Sequence, residues 1–297
     1  MFKGSIVALV TPFSGGKVDE AKLRELVEYH IQHKTDAISP CGTTGESPTL
    51  THEEHKRVIQ IVVEQVKKRV PVIAGTGSNS TDEAVDLTRF AKRVGSDAAL
   101  MVCPYYNKPT QEGIYRHFEK VAKEVDLPIV LYNIPGRSGV NMAPETIARL
   151  SKIESIVAVK EAAGSLDQVS QILSLCDIIV LSGDDSLTLP MMSVGAKGVI
   201  SVVANIVPKD VVTLTHSVLD GNWEKAKDLH YKLLPLCKVL FIETNPIPVK
   251  TAMELLGMIK GELRLPMCPM AEGTLPQLKK ALIDYGLLPA SHLKARR

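Results

Sequence analysis

Lys160 closes an apolar, β-branched run, Ile156-Val157-Ala158-Val159, and is followed by Glu161. Drawing an ammonium into such a run costs several kcal/mol, so the lysine must find an anion or lose its proton. A desolvated amine of lowered pKa is a nucleophile able to condense with a carbonyl. The plainer reading ends the strand in solvent or pairs Lys160 with Glu161. Other groups with chemical capacity fall at comparable places, where apolar runs give way to polar residues. Tyr132, Thr43 and Tyr106 carry hydroxyls that can pass protons without bringing charge into a dry pocket, although tyrosines there are also common packing residues. Arg137, in Ile134-Pro135-Gly136-Arg137, offers a planar fork suited to a carboxylate, or is an ordinary exposed loop arginine. Gly42, Gly45, Gly75, Gly77 and Gly183 would let backbone N–H groups approach a ligand, or serve only as turns.

Positioning these groups at one place takes a particular set of elements. Eight short apolar runs recur: Ile6 to Val10, Ala37 to Ser39, Val70 to Ala74, Ala98 to Cys103, Pro128 to Tyr132, Ile156 to Val159, Ile178 to Leu181 and Val199 to Val203. Amphipathic stretches lie between them, among them Asp19 to His33, Thr51 to Arg69 and Ser80 to Val94. In the second, Val58, Ile59, Val62, Val63 and Val66 recur at helical spacing. Thr51 followed by Glu54 fits a capping box, and Ser80 or Thr81 is placed to cap the third helix. Near-continuous apolar strands suit a parallel sheet covered on both faces. Eight of them alternating with helices point to an α/β fold, a (β/α)8 TIM barrel with a C-terminal helical extension. An open doubly wound sheet would want a glycine-rich phosphate loop after the first strand, and Thr11-Pro12-Phe13-Ser14-Gly15-Gly16 is not one. About 90 residues remain beyond the eighth strand, reading as helices over Pro208 to Leu219, Trp223 to Phe241, Pro248 to Leu256 and Thr274 to Tyr285. The expected division is residues 1–225 for the barrel and 226–297 for the helical region packed on it. In such barrels the active site lies at the C-terminal ends of the strands, where the lysine, the arginine and the hydroxyls would share one mouth.

Composition narrows the function. The chain has 297 residues, 45% hydrophobic and 23% charged, with a formal net charge of +2. So even a balance gives no electrostatic case for nucleic acid or a membrane surface. The basic clusters Lys67-Lys68-Arg69 and Lys294-Ala295-Arg296-Arg297 read as a solvated helix end and a frayed terminus. No apolar run approaches a membrane span, and no cleavage signal is visible at the start. Cysteines 41, 103, 176, 237 and 268 form neither a disulfide framework nor a zinc pattern, which points to the cytoplasm, with Cys41 and Cys103 expected as buried thiols. Gly75-x-Gly77-x-x-Ser80 is a partial dinucleotide pattern in the wrong place. Asp184-Asp185 lacks a third ligand at metal spacing. His52 and His55 lie three apart, a spacing that more often marks two surface residues than a metal pair. No GxSxG elbow is present.

Taken together, Gly42-Thr43-Thr44-Gly45-Glu46-Ser47 and the stretch from Tyr132-Asn133-Ile134-Pro135-Gly136-Arg137 through Lys160-Glu161-Ala162 resemble the two signatures of the dihydrodipicolinate synthase and N-acetylneuraminate lyase superfamily. The similarity runs from about Lys3 to Leu288 and includes Pro104-Tyr105-Tyr106-Asn107-Lys108-Pro109, Ser182-Gly183-Asp184-Asp185, Gly198-Val199-Ile200-Ser201 and Asn245-Pro246-Ile247-Pro248-Val249-Lys250. The resemblance implies a Schiff-base lyase without metal or organic cofactor, in which Lys160 forms an imine with pyruvate. The derived enamine would attack L-aspartate 4-semialdehyde, a step of lysine and diaminopimelate biosynthesis. By the same resemblance Tyr132 relays protons, and Thr43 links it to Tyr106, which arrives from a partner subunit of a homotetramer built as a dimer of dimers. Thr44 and the backbone at Gly183 and Ile200 would hold the pyruvate carboxylate and its neighbours, and Arg137 the semialdehyde carboxylate. Ser47, Pro48, His52, His55, Asn79, Glu83 and Tyr105 match positions that bind lysine as a feedback inhibitor, with Pro48 in place of a common alanine. Sibling 2-oxo acid aldolases, acting on N-acetylneuraminate or sugar acids, share the lysine and tyrosine. The Thr43-Thr44 pair, Tyr105-Tyr106 and Arg137 together favour the semialdehyde acceptor. A pyridoxal phosphate enzyme would need a phosphate cradle that is not obvious here, and a silent metabolite-binding barrel would be expected to lack the lysine or the tyrosine.

Overall fold

The computed structural model describes residues 2–293, so the basic cluster Lys294–Arg297 lies outside the described residues. Eight parallel strands form the centre: β1 Gly4–Ala8, β2 Ala37–Ser39, β3 Ile73–Gly75, β4 Ala98–Val102, β5 Ile129–Asn133, β6 Ile156–Glu161, β7 Ile179–Ser182 and β8 Gly198–Ser201. Hydrogen bonding runs β2-β1-β8-β7-β6-β5-β4-β3. A parallel bridge from Ile38 to Val72 joins the two ends of that order and closes the barrel. Each expected apolar run therefore yields one strand. A helix follows every strand: α1 Glu20–Gln32, α2 His52–Val66, α3 Thr81–Val94, α4 Gln111–Glu124, α5 Pro144–Leu150, α6 Leu166–Leu175, α7 Thr188–Ser193 and α8 Pro208–Leu219. A two-stranded hairpin, Phe13–Ser14 with Lys17–Val18, precedes α1.

Alternation along each strand divides the apolar residues into two buried sets. Ala8, Ala98, Val130, Tyr132, Ala158 and Ile200 belong to the set filling the barrel. Val7, Ala99, Leu131, Val159 and Val180 belong to the larger set between the barrel and its helices. Helix α2 shows how the sequence sets this up. Glu54 N–H donates to Thr51 Oγ1 at 3.1 Å and Thr51 N–H to Glu54 Oε2 at 3.0 Å, the reciprocal capping box expected from the Thr-x-x-Glu spacing. Val58, Ile59, Val62 and Val66 are then buried along one face. Helix α3 departs from expectation. Ser80 is its N-cap but makes no side-chain capping bond, and Thr81 Oγ1 meets His117 Nδ1 at 2.9 Å instead.

The C-terminal part adds α9 Trp223–Val239, α10 Ile247–Leu255 and α11 Leu275–Asp284. Helix α9 packs on α8, and α11 packs on α9 and α10. Leu278 and Leu282 of α11 are fully buried, each contributing roughly 1.5–3 kcal/mol relative to exposure. The expected division after residue 225 falls in the first turn of α9, whose Ala226 is also fully buried. No helix among the described residues is long and apolar enough to cross a membrane.

Candidate active site at the C-terminal ends of the strands

Tyr132 on β5 and Lys160 on β6 are register partners. Tyr132 belongs to the barrel interior, and Lys160, two residues beyond interior Ala158, shares that face. Lys160 is 6% exposed, and its Nζ lies 4.1 Å from the centroid of the Tyr132 ring. Among the described residues no carboxylate lies within ion-pairing distance of it. The alternative pairing with Glu161 is not made, because alternation sends the Glu161 side chain to the outer face, where amides satisfy it. The strand end is packed tightly around the lysine. A Cβ on Gly183 would lie 2.5 Å from Ala162 Cβ and 3.2 Å from Lys160 Cε, so only glycine leaves the amine its room.

A cavity of about 210 Å³ opens beside this pair, its walls including Gly42, Thr43, Gly75, Tyr132, Ile134 and Arg137. Lys160 does not itself line the cavity and meets it through Tyr132. Thr43 therefore shares a wall with Tyr132 and Arg137. Thr44 is buried, and its Oγ1 accepts from Asn245 Nδ2 at 3.0 Å. Arg137 is exposed and donates to the Asn245 carbonyl at 3.2 Å. Ile200 is fully buried in the barrel set that includes Tyr132. Tyr106 stands apart: its side chain is 89% exposed and its backbone is left-handed, with φ 72°.

The loop carrying Thr43 and Thr44 is held by groups far along the chain. Cys41 and Glu46 adopt left-handed backbone at φ 56° and 52°. Against this loop a Cβ on Gly75 would come 2.1 Å from the Cys41 carbonyl oxygen, so β3 must present a glycine there. Thr11 Oγ1 donates to the Gly45 carbonyl at 2.7 Å. Lys250 Nζ donates to Glu46 Oε1 at 2.6 Å and to the Thr11 carbonyl at 3.0 Å, and Arg264 N–H donates to Glu46 Oε2 at 3.1 Å. On the opposite side, Asp185 accepts from Ser201 Oγ and from the N–H groups of Val202 and Val203, fixing the turn after β8. Burial pushes its carboxyl above the usual carboxylate range, a shift those donors oppose. Cys41 and Cys103 are buried as expected, and burial raises both thiols, Cys103 to about 12.

A second cavity, of about 140 Å³, adjoins the first and shares Ser47, Pro48, Gly77 and Tyr105 with it. His52, His55 and Glu83 also line it. His55 is not a surface residue: it is buried, its Nε2 is 2.7 Å from the Gly75 carbonyl, and burial lowers its pKa. Glu83 accepts from Ser78 Oγ at 2.7 Å and lies 3.8 Å from His52 Nε2. Asn79 is outside this lining, and its carbonyl accepts from Asn107 Nδ2 at 2.9 Å.

Sequence reasoning passed over Asn245, Lys250 and Asp185 as parts of the site. One signal was available, because Lys250 sits within Ile247-Pro248-Val249-Lys250-Thr251-Ala252-Met253, an apolar helical stretch in which a charge needs a partner.

A closed (β/α)8 barrel that ends one strand in a buried amine with no ion-pair partner among the described residues, beside a phenol, is an arrangement of the kind that lyases working through a lysine amine require. The profile of the dihydrodipicolinate synthetase family matches residues 1–284. The chain is 60% identical over 290 residues to the 4-hydroxy-tetrahydrodipicolinate synthase of Geotalea uraniireducens, covering 97% of this chain and all of that one. The crystal structure of dihydrodipicolinate synthase from Aquifex aeolicus is 54% identical and superposes with a TM-score of 0.95 over 96% of this chain and 99% of that one. The DHDPS of Cyanidioschyzon merolae, solved with lysine bound, is 42% identical with a TM-score of 0.94, covering 97% and 99%. The chain belongs to the dihydrodipicolinate synthetase family.

Proposed function

We infer that the protein condenses pyruvate with L-aspartate 4-semialdehyde to give 4-hydroxy-tetrahydrodipicolinate, the step that opens the diaminopimelate route to lysine. The observation that carries this reading is the buried Lys160, without an ion pair among the described residues, against Tyr132 in a chain of this family. Lys160 Nζ attacks the pyruvate ketone, water leaves, and a protonated imine forms. That nitrogen withdraws electrons and acidifies the methyl group, whose proton is lost to give an enamine. The enamine carbon attacks the aldehyde, and the substrate amine then displaces Lys160 as the ring closes. Tyr132 relays protons at the imine, with Thr43 linking it to Tyr106 of a neighbouring copy. Thr44 and the backbone at Gly183 and Ile200 orient the pyruvate carboxylate and its surroundings. Arg137 receives the semialdehyde carboxylate by a bidentate contact.

The working assembly is a homotetramer made of two dimers, a reading supported by the 89% exposure of Tyr106, which has no place in its own chain's cavity. Sedimentation at assay concentration tests it, and an active monomer would overturn it. The enzyme works in the cytoplasm, in keeping with five free cysteines. The described residues up to 225 serve as the catalytic barrel and those beyond it as its helical cover. Lysine inhibits by filling the second cavity, with Glu83 meeting its ammonium and Asn79 and Tyr105 its carboxylate, while Ser47, Pro48, His52 and His55 complete the enclosure. Initial rates that stay unchanged at saturating lysine would remove this regulatory part.

The decisive assay couples product to dihydrodipicolinate reductase and follows NADPH, with Lys160→Ala run beside the wild type. Turnover that disappears in the variant is expected. A folded wild-type protein inactive on the semialdehyde would shift the reading to another acceptor aldehyde.

A further inference from the structure

Directly behind the Tyr132–Lys160 pair, on the outer face of the same strands, lies a second register pair, Asn133 and Glu161. Both side chains are fully buried. Asn133 Nδ2 donates to Glu161 Oε1 at 3.2 Å and Oε2 at 3.0 Å. The remaining partners of the carboxylate are the Ala163 N–H at 2.7 Å and Gln168 Nε2 at 3.1 Å. Every contact is a donor, three nitrogens making four contacts to the two oxygens, and burial pushes the carboxyl above its usual range, a shift these donors oppose. Asn133 is anchored in turn, its Oδ1 accepting from Met142 N–H at 2.9 Å and its Nδ2 also reaching Asn141 Oδ1 at 2.8 Å.

The location matters because the β5–β6 ladder is irregular. Ile129 pairs with Ile156 but Val130 pairs with Ala158, so one strand carries an extra residue at the base of the pair. Above the irregularity the ladder is regular from Val130–Ala158 through Asn133–Glu161, so the backbone sets the register of the reactive pair and the side chains at the strand ends set its finer spacing. Alternation couples the two faces: turning or sliding Asn133 against Glu161 turns or slides Tyr132 against Lys160. We propose that Asn133 and Glu161 are positioning residues whose hydrogen bond outside the barrel sets the spacing of the phenol and the amine inside it. The proposal rests on the Schiff-base reading above, in which both inner groups act on one imine.

The test compares Glu161→Gln, Asn133→Asp and their combination, with kcat, KM for pyruvate and Tm measured on each. Each single change sets like groups against each other: amide donors in the first, carboxylates in the second. The combination restores an amide–carboxylate pair with the roles exchanged. The single variants should lose about 10- to 100-fold in kcat with KM for pyruvate within about threefold, since misplacing reacting groups by about 1 Å costs that much. The combination should recover about tenfold over the worse single variant. A purely structural pair would lower Tm and leave the kcat of folded enzyme unchanged. Folded single variants with wild-type kcat, or a combination no better than the worse single, would overturn the proposal. Should both single variants fail to fold, Gln168→Ala removes one donor from the half-exposed rim, and an unchanged kcat there would also overturn it. Absence of wild-type turnover would instead undo the assigned reaction, and the same ordering would then be read from borohydride trapping of pyruvate.

Discussion

Two lysines are buried among the described residues, and they live differently. Lys160 is 6% exposed and Lys250 fully buried. Each Nζ sits over an aromatic ring, Lys160 4.1 Å from the centre of Tyr132 and Lys250 4.2 Å from that of Phe13. Burial and aromatic contact are therefore common to both. What separates them is the anion. Lys250 meets Glu46 at 2.6 Å in a pair whose side chains are 0% and 1% exposed. Burial drives the Lys250 ammonium below the ordinary lysine range, and Glu46 pulls against that. Lys160 has no such partner among the described residues. A compensated charge ties helix α10 to the loop carrying Thr43 and Thr44. Lys160 makes no ion pair among the described residues, although Asp184 and Asp185 lie near enough for its charge to favour their ionised forms. Its amine is left without a direct anion and free for chemistry at a carbonyl.

One substitution made at both places separates the roles most sharply. Lys160→Met should lose about a thousandfold or more in turnover and all borohydride trapping of pyruvate. Its stability should stay within about 1 kcal/mol of wild type, because a buried amine is replaced by an apolar chain of similar length. Lys250→Met should lower unfolding free energy by about 3–5 kcal/mol, since Glu46 is left buried without its cation. Combining Lys250→Met with Glu46→Leu should regain much of that loss. Urea unfolding checks all three. Equal destabilisation at the two lysines would break the contrast.

These lysines also mark how far the sequence could be read. Lys160 was legible as a candidate because an apolar run isolates it, but its pairing with Glu161 stayed open until the register sent that side chain to the opposite face. The barrel was legible for a similar reason, since near-continuous apolar runs recur eight times with amphipathic stretches between them. Lys250 was not, because its partner lies 204 residues earlier, and no local pattern joins Glu46 to α10. Asp185 was considered only as a metal ligand, although its bonds run to Ser201, Val202 and Val203. His55 was read as surface because spacing on a helix says nothing of which loop covers it, here the end of β3. Local physics reveals the elements and the groups they end in. The contacts that hold one element's end against another are set by chain folding over long separations.

A milder member of the same tether gives the smallest effect. Arg264 donates to Glu54 from both Nη1 and Nη2 at 2.6 Å, with side chains 16% and 28% exposed, and its backbone N–H serves Glu46. The Arg264 guanidinium holds the Glu54 carboxyl down at about 2, from an ordinary 4.5. A carboxyl depressed on folding contributes stability that is complete above its unfolded value and is lost as pH falls toward its folded one. Wild type should therefore exceed Glu54→Gln by about 1 kcal/mol near neutrality, the partial exposure keeping the value small. The margin should shrink below pH 4.5 and vanish near pH 2. Glutamine retains an oxygen for the Thr51 N–H, so the capping box survives and the comparison isolates the charge. Urea midpoints across that pH range measure it. A margin that persists unchanged at about pH 2 would show that shape, not charge, joins α2 to the C-terminal region.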